Sequence, residues 1–336
     1  MANETEDHET QYCFPAINSS CIKTKRSTHE YNIMYVFFSL LSACTVFLNL
    51  LVIISISHFK KLHTPTNMLI LSLAVADLLI GLIILPLEAI KLIETCWYFG
   101  DNLCGFYLVV IGLLPSASLS HLILIAVDRY VAVCHPLHYP RTITTTKTIM
   151  SICICWFCST AYNIALESSS KHSDLNKMNV CYGECTFTIS YAWRVTDLIM
   201  SLLFPCTVII TLYMRIFYVA HQQVKVINSL FKGGKHVMKG SLKRKTESKA
   251  ALTLGLIVTV YLLCYIPYFI LSLSENTEMI SIAFVLLWIV YISSAVNPLI
   301  YALFYPWFKM SVKLIITLKI FQPASSLVDI FTDYQS

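Results

Sequence analysis

Seven apolar runs, each about as long as a membrane span, dictate what this chain can become. They cover roughly 33–57, 67–90, 103–134, 147–166, 192–219, 248–273 and 281–304. About 20 apolar residues suffice for a helix to cross the hydrocarbon core. Inside lipid every backbone polar group must be satisfied within the segment, so runs of this length fold as helices. A soluble alternative fails on composition: 57% of the residues are hydrophobic and 13% charged, against the quarter or so charged residues usual in globular domains. Mean hydropathy is +0.67. The expected fold is an all-α membrane protein, a bundle of seven transmembrane helices forming one polytopic domain over 33–304. A tail at 1–32 precedes it, and a segment at 305–336 follows.

Orientation follows from the basic residues. Arg215, Lys225, Lys232, Lys235, Lys239, Lys243, Arg244, Lys245 and Lys249 lie between the fifth and sixth runs, and Lys60 and Lys61 after the first. The tail opens on acidic residues and carries the sequons Asn3-Glu4-Thr5 and Asn18-Ser19-Ser20. Sequons have meaning only outside the cytosol. We therefore expect the N-terminus outside, with Asn3 and Asn18 as glycan acceptors, and the C-terminus inside. The start shows no basic-then-apolar leader pattern, so the first run is its own insertion signal. The net charge of +5 reads as an insertion signal or lipid-facing loop, and no nucleic-acid partner is expected. After Pro306, apolar residues interleave with Lys309, Lys313 and Lys319 over 307–320. That pattern suits an amphipathic helix on inner-leaflet lipid.

Costly residues within the spans point to function. Asp77 in the second run needs polar partners in lipid, and Ser118, Ser293, Ser294, Asn297 and Asn49 could supply them. Asp197 in the fifth run lies two turns before Pro205; Arg194, three residues away, is its simplest local partner. Glu88 and Glu94 end the second run on the outer side, where Lys91 offers a local ion pair. Prolines kink helices, and Pro115, Pro205, Pro267 and Pro298 all fall inside runs. His121 is isolated in the sequence and reads as a packing residue. Cys13, Cys21, Cys96, Cys104, Cys181 and Cys185 lie on the outer side, where oxidising conditions permit disulfides. Pairing cannot be deduced from spacing, and no spacing fits a metal motif.

The stretch Ser294-x-x-Asn297-Pro298-x-x-Tyr301-x-x-x-Tyr305-x-Trp307-Phe308 resembles the seventh-helix signature of rhodopsin-like G protein-coupled receptors. Its wider spacing is similar to that of the trace amine-associated branch, which usually has Asn where Ser293 stands. The resemblance recurs once per span. Asn49 lies in the first, Leu73-Ala74-Val75-Ala76-Asp77-Leu78 in the second and Asp128-Arg129-Tyr130 at the end of the third. Trp156 marks the fourth, Pro205 and Tyr213 the fifth, and Cys264-Tyr265-Ile266-Pro267-Tyr268 the sixth.

The resemblance carries several implications. Cys104 would bond Cys185, and a tail cysteine, Cys21 or in its place Cys13, would bond Cys181. Asp77, Ser118, Ser294, Asn297 and Asn49 would hold an allosteric sodium ion; no other cofactor is implied. Asp128, Arg129 and Tyr130, with Glu247, Tyr213, Pro267, Asn297, Pro298 and Tyr301, would form the activation switch and the contact with a stimulatory heterotrimeric G protein. The family's palmitoyl anchor cannot form, since 307–320 has no cysteine. The implied setting is the plasma membrane of sensory neuron cilia, with olfactory-type coupling to cyclic AMP.

The chain departs from that family at the binding site. Cys104, Ile111 and Ser118 recur every seven residues and share one helix face, so Ile111 lines the pocket. Amine receptors usually carry aspartate there. The acid at Asp197 resembles a subset of fish trace amine receptors, so a protonated amine is expected at Asp197 with Ser201 beside it. Tyr265, Tyr268, Phe269, Trp288 and Tyr291 are the candidate cation-stacking cage, and Glu88 is a second outer acid. Tyr265 replaces the usual tryptophan. A receptor of this fold for a non-amine ligand stays open. A retinal pigment is excluded by the absence of lysine from 281 to 308. A transporter or enzyme is disfavoured because no inverted repeat or intramembrane His-Asp or Ser-His cluster is visible.

Overall fold

The computed structural model describes residues 11–174, 181–186, 190–232, 277–304, 306–322 and 325–327, with 255, 259, 262–263 and 265–271 of the sixth span. Asn3, Glu247 and Cys264 fall outside them. The first span is the helix Thr28–His58. Ser27 Oγ accepts the Glu30 N–H while the Glu30 carboxylate accepts the Ser27 N–H, a reciprocal cap that fixes the start. The second span, Pro65–Glu94, starts with Thr64 as cap and Pro65 where a missing N–H costs nothing. Gly100–Cys134 is the third span and Thr145–Asp174 the fourth. The fifth runs from Tyr191–Leu198 through Ile199–Leu203 into Phe204–Lys232, and the seventh is Thr277–Phe304.

These helices continue beyond the apolar runs. The fourth extends to Asp174 and the fifth to Lys232, so the loops expected near 167–191 and 220–247 begin later than hydropathy suggested. Hydropathy marks the lipid boundary, whereas backbone hydrogen bonding carries a helix on into water. The amphipathic segment is shorter than expected. Its helix is Pro306–Ile316, and Leu318 then adopts a left-handed φ of 56° ahead of a 3-10 turn at Lys319–Phe321.

Among the described residues two π turns interrupt the spans, at Ile80–Ile84 and Ile199–Leu203. Each lies just before a proline, Pro86 or Pro205. Proline cannot donate to the carbonyl four residues back and its ring crowds that turn. One extra residue in the turn relieves both.

A core cluster joins the first, second, third, fifth, sixth and seventh spans through Ile56, Leu73, Leu122, Ile216, Phe269 and Tyr301. Apolar side chains such as Phe47, Phe157 and Met214 face outward, as a lipid-solvated surface requires. Close approaches use glycine. A Cβ on Gly81 would lie 3.0 Å from Val46, and one on Gly112 would collide with Asn163 Oδ1. Small residues let membrane helices approach to backbone contact.

The tail caps one end of the bundle. Cys21 N–H donates to the Tyr182 carbonyl (2.9 Å) and Tyr182 N–H to the Ser19 carbonyl (2.8 Å). Disulfides join Cys13–Cys96, Cys21–Cys181 and Cys104–Cys185. Cys13 therefore does not stand in for Cys21; it takes Cys96, a pairing the sequence did not indicate. Gly183 at φ 100° leaves room for Phe14, which a Cβ would approach to 3.0 Å. Lys23 forms an ion pair with Glu94 at 2.5 Å. That hydrogen bond holds Lys23 above its ordinary range. A raised lysine is lost only as pH climbs through its folded value, so the contact persists through neutral pH.

Candidate functional site

The fifth span positions Asp197 two residues before the π turn at Ile199–Leu203, and the turn brings Ser201 beneath it. Ser201 Oγ donates to Asp197 Oδ1 at 2.7 Å, and Tyr162 of the fourth span donates to the same oxygen at 3.0 Å. Asp197 is half-buried. Arg194 is not its partner; the guanidinium lies 5.7 Å over the Tyr191 ring. Asp197 is thus a carboxylate held by two neutral donors, with no ion pair to it among the described residues. Such an acid has capacity left for a cation.

Ile111 packs against two clusters, one holding Tyr291, Leu114 and Val110 and the other Tyr107, Trp97 and Cys185. That places it on the inner face below the Cys104–Cys185 bridge. Tyr265 stacks on Phe269 at 6.4 Å, with Tyr268 edge-on to Phe269 at 5.4 Å. Trp288 packs edge-on to Tyr291 at 5.9 Å and lies tilted 4.2 Å from Phe38 of the first span. Glu88 is buried and accepts the Tyr107 hydroxyl. Neither outer acid takes the local pairing expected with Lys91. Glu94 goes to Lys23 and Tyr35, while Lys91 lies 5.4 Å over the Tyr107 ring. The tail, invisible to helix periodicity, supplied the better-placed cation.

Deeper in the bundle, Asp77 is 1% exposed. It accepts Asn297 Nδ2 at 2.8 Å and Ser118 Oγ at 3.4 Å, and Ser294 also bonds it. Asn49 and Ser293 do not bond it. Ser293 donates to the Val290 carbonyl, and Asn49 Nδ2 donates to the carbonyls of Thr45 (2.9 Å) and Ser294 (3.0 Å). The Ser294 carbonyl is the one Pro298 leaves without a donor, so Asn49 repairs the proline break from another helix. Asn49→Leu would orphan that buried carbonyl. We expect a loss of about 1–3 kcal/mol in stability, read as a lower melting temperature of the purified receptor.

At the end of the bundle opposite the tail, Arg129 donates to Asp128 Oδ2 at 2.9 and 2.5 Å, both residues buried. Thr66 and Tyr139 donate to Asp128 as well, at 2.8 and 2.9 Å, a fixation the sequence did not indicate. Tyr130 edges onto His135. Tyr213 and Tyr301 are buried. Gly255 of the sixth span faces the Tyr213 ring so closely that a Cβ would lie 3.0 Å from it. Pro267 lies in the helical part of the sixth span and Pro298 in the seventh.

His121 is not isolated. Its Nδ1 bonds the Ala117 carbonyl at 2.6 Å, which leaves Nε2 to accept Ser72 Oγ at 2.7 Å; Trp156 Nε1 in turn donates to Ser72 at 3.0 Å. This chain ties the second, third and fourth spans together. A buried histidine sharing a bundle with Trp156 was the available signal.

Comparison with known proteins places the whole arrangement. The family model described as 7 transmembrane receptor (rhodopsin family) matches residues 48–301. Trace amine-associated receptor 13c of Danio rerio is 39% identical over 332 residues, covering 96% of this chain and 97% of that protein. Trace amine-associated receptor 7a of Mus musculus is 37% identical, covering 96% and 93%. Trace amine-associated receptor 6 of Rattus norvegicus is 37% identical, covering 99% of each.

Proposed function

Because this chain belongs to the rhodopsin family of seven-transmembrane receptors, and within it to the trace amine-associated receptors, we propose that it senses protonated amines from outside the cell. The observation that carries this reading is the Asp197 carboxylate, held by Tyr162 and Ser201 and ion-paired to neither Arg194 nor Lys91. The amine docks on Asp197, with the aromatic side chains of the sixth and seventh spans alongside. A ligand that binds one state better shifts an existing equilibrium. The bistable element is the Asp128–Arg129 pair at the cytoplasmic end, where a stimulatory, olfactory-type G protein docks and raises cyclic AMP. The receptor is a multi-pass plasma-membrane protein, N-terminus outside, placed in sensory cilia. A panel of primary, tertiary and di-amines in cells reporting cyclic AMP tests this. Responses that vanish when the stimulatory α-subunit is deleted support it; silence to every amine overturns it. One observation favours the rival, a non-amine ligand: isoleucine at 111 removes the third-span acid.

The second-span cluster fits a sodium ion. Asp77, Ser118, Ser294 and Asn297 converge there, and the Asn49 Oδ1, fully buried, has no hydrogen-bond partner among the described residues. A hard cation suits such oxygen donors. Asp77, Ser118 and Ser294 would hold it, and the ion would supply the positive charge that an anionic buried carboxylate lacks. We expect Asp77→Asn to abolish any effect of sodium on agonist affinity, measured against N-methylglucamine at constant ionic strength.

A further inference from the structure

A carboxylate offers about four lone-pair sites, two on each oxygen. In Asp197 the two oxygens are used unequally. Oδ1 accepts Ser201 Oγ at 2.7 Å and Tyr162 Oη at 3.0 Å, so both of its lone pairs are taken. Oδ2 accepts no hydrogen bond among the described residues. The two donors are anchored apart. Ser201 lies in the π turn Ile199–Leu203 of the same span, and Tyr162 reaches across from the fourth span, Thr145–Asp174. A half-turn of the carboxylate only exchanges the oxygens: one is filled and the other open. Tyr268, which packs on the buried Phe269 of the sixth span, lies within electrostatic reach of the acid, so Asp197 belongs to the bundle interior rather than to the lipid face.

The consequence is a difference between kinds of cation. A protonated alkylamine needs one N–H and one acceptor lone pair, and Oδ2 supplies that. A guanidinium or amidinium is planar and presents two parallel N–H groups, which match a carboxylate through both oxygens at once. Here one half of that match is already occupied. The chain's own guanidinium behaves accordingly. Arg194 stands three residues before Asp197, a spacing at which side chains on a helix meet, yet its guanidinium sits 5.7 Å over the Tyr191 ring instead of on the carboxylate.

We propose that Tyr162 and Ser201 set the specificity of the site: by filling Asp197 Oδ1 from two spans they leave a one-oxygen acceptor, which takes amines through a single N–H and rejects guanidines and amidines of the same length. The inference rests on the amine reading above, with Asp197 as the anchor. Both hydroxyls act through the carboxylate, as positioning residues.

The test uses the full-length purified receptor and alkylamines of increasing chain length, each paired with the alkylguanidine and the alkylamidine of the same chain. Affinities come from ligand-induced shifts in melting temperature, each referred to the ligand-free value of the same variant. At the best length the wild type should favour the amine over the guanidine by about tenfold or more, the worth of one hydrogen bond to a charged group. Tyr162→Phe removes one oxygen and opens one lone pair on Oδ1, so the preference should fall close to one. Ser201→Ala, in a different span, should do the same, and the result then does not depend on one variant folding. A role in packing alone would weaken amine and guanidine alike and leave their ratio where it was. An unchanged ratio in either folded variant therefore overturns the proposal, as does a wild type that binds guanidines as tightly as amines. Failure of the amine reading shows separately, as alkylamines that do not bind the wild type or that bind Asp197→Asn unchanged.

Discussion

Asp197→Asn should remove the response to amines, raising the concentration needed by about a hundredfold or more, while the receptor still reaches the cell surface. The substitution keeps the shape and an acceptor for Tyr162 and Ser201, so the fold has no reason to fail. Only the charge goes. Two unit charges about 4 Å apart in surroundings of effective dielectric about 20 attract by about 4 kcal/mol. Stripping water from the ammonium offsets part of that; a net of about 2.7 kcal/mol is a hundredfold. Dose–response curves with a surface epitope count on the same cells decide it. An unchanged midpoint rejects the anchor. Moving the acid tests position: Asp197→Ala with Ile111→Asp should reorder the ranking of amines, since the charge then faces the pocket from the third span.

The second large effect is on folding. Cys104→Ala or Cys185→Ala should leave little receptor at the surface. The bond closes a loop with a sequence separation of 81, and cross-links over loops of this size stabilise by about 4 kcal/mol in the chain-entropy account. Cys185 is buried beside Trp97 and Tyr107, and Tyr107 holds Glu88, so the loss reaches the pocket wall. Cys13→Ala with Cys96→Ala should be milder. That bond pins the tail to the first outer loop, where the backbone bonds from Cys21 to Tyr182 and from Lys23 to Gln11 also hold the tail. Surface labelling and thermal melts of the two sets rank them. Equal behaviour of Cys104→Ala and the wild type would sink the argument.

Parts of this site are legible in the sequence alone. Asp77 and Asp197 were conspicuous because a carboxylate in an apolar run must be held by something. Ile111 was placed by seven-residue spacing from Cys104. Tyr162 was not foreseeable as the partner of Asp197. It comes from another helix, and which face of the fourth span meets the fifth depends on packing that no local pattern encodes. The same holds for Thr66 and Tyr139 on Asp128, and for Ser72 between His121 and Trp156. The Lys91 pairing failed for a related reason: neighbours along one helix looked sufficient, yet the folded tail brought Lys23 to Glu94.

The sequence by itself determined the class of fold, because long apolar runs in lipid have no stable form but the helix, and because proline and buried charge are expensive enough to stand out. It also determined the family, since one motif per span in fixed order is a one-dimensional property. Only the tertiary structure decided which cysteines meet, which donor satisfies a buried carboxylate such as Asp77, and that Asn49 of another helix repairs the carbonyl released by Pro298. Those are contacts between segments far apart in the chain, fixed by how helices rotate and approach one another.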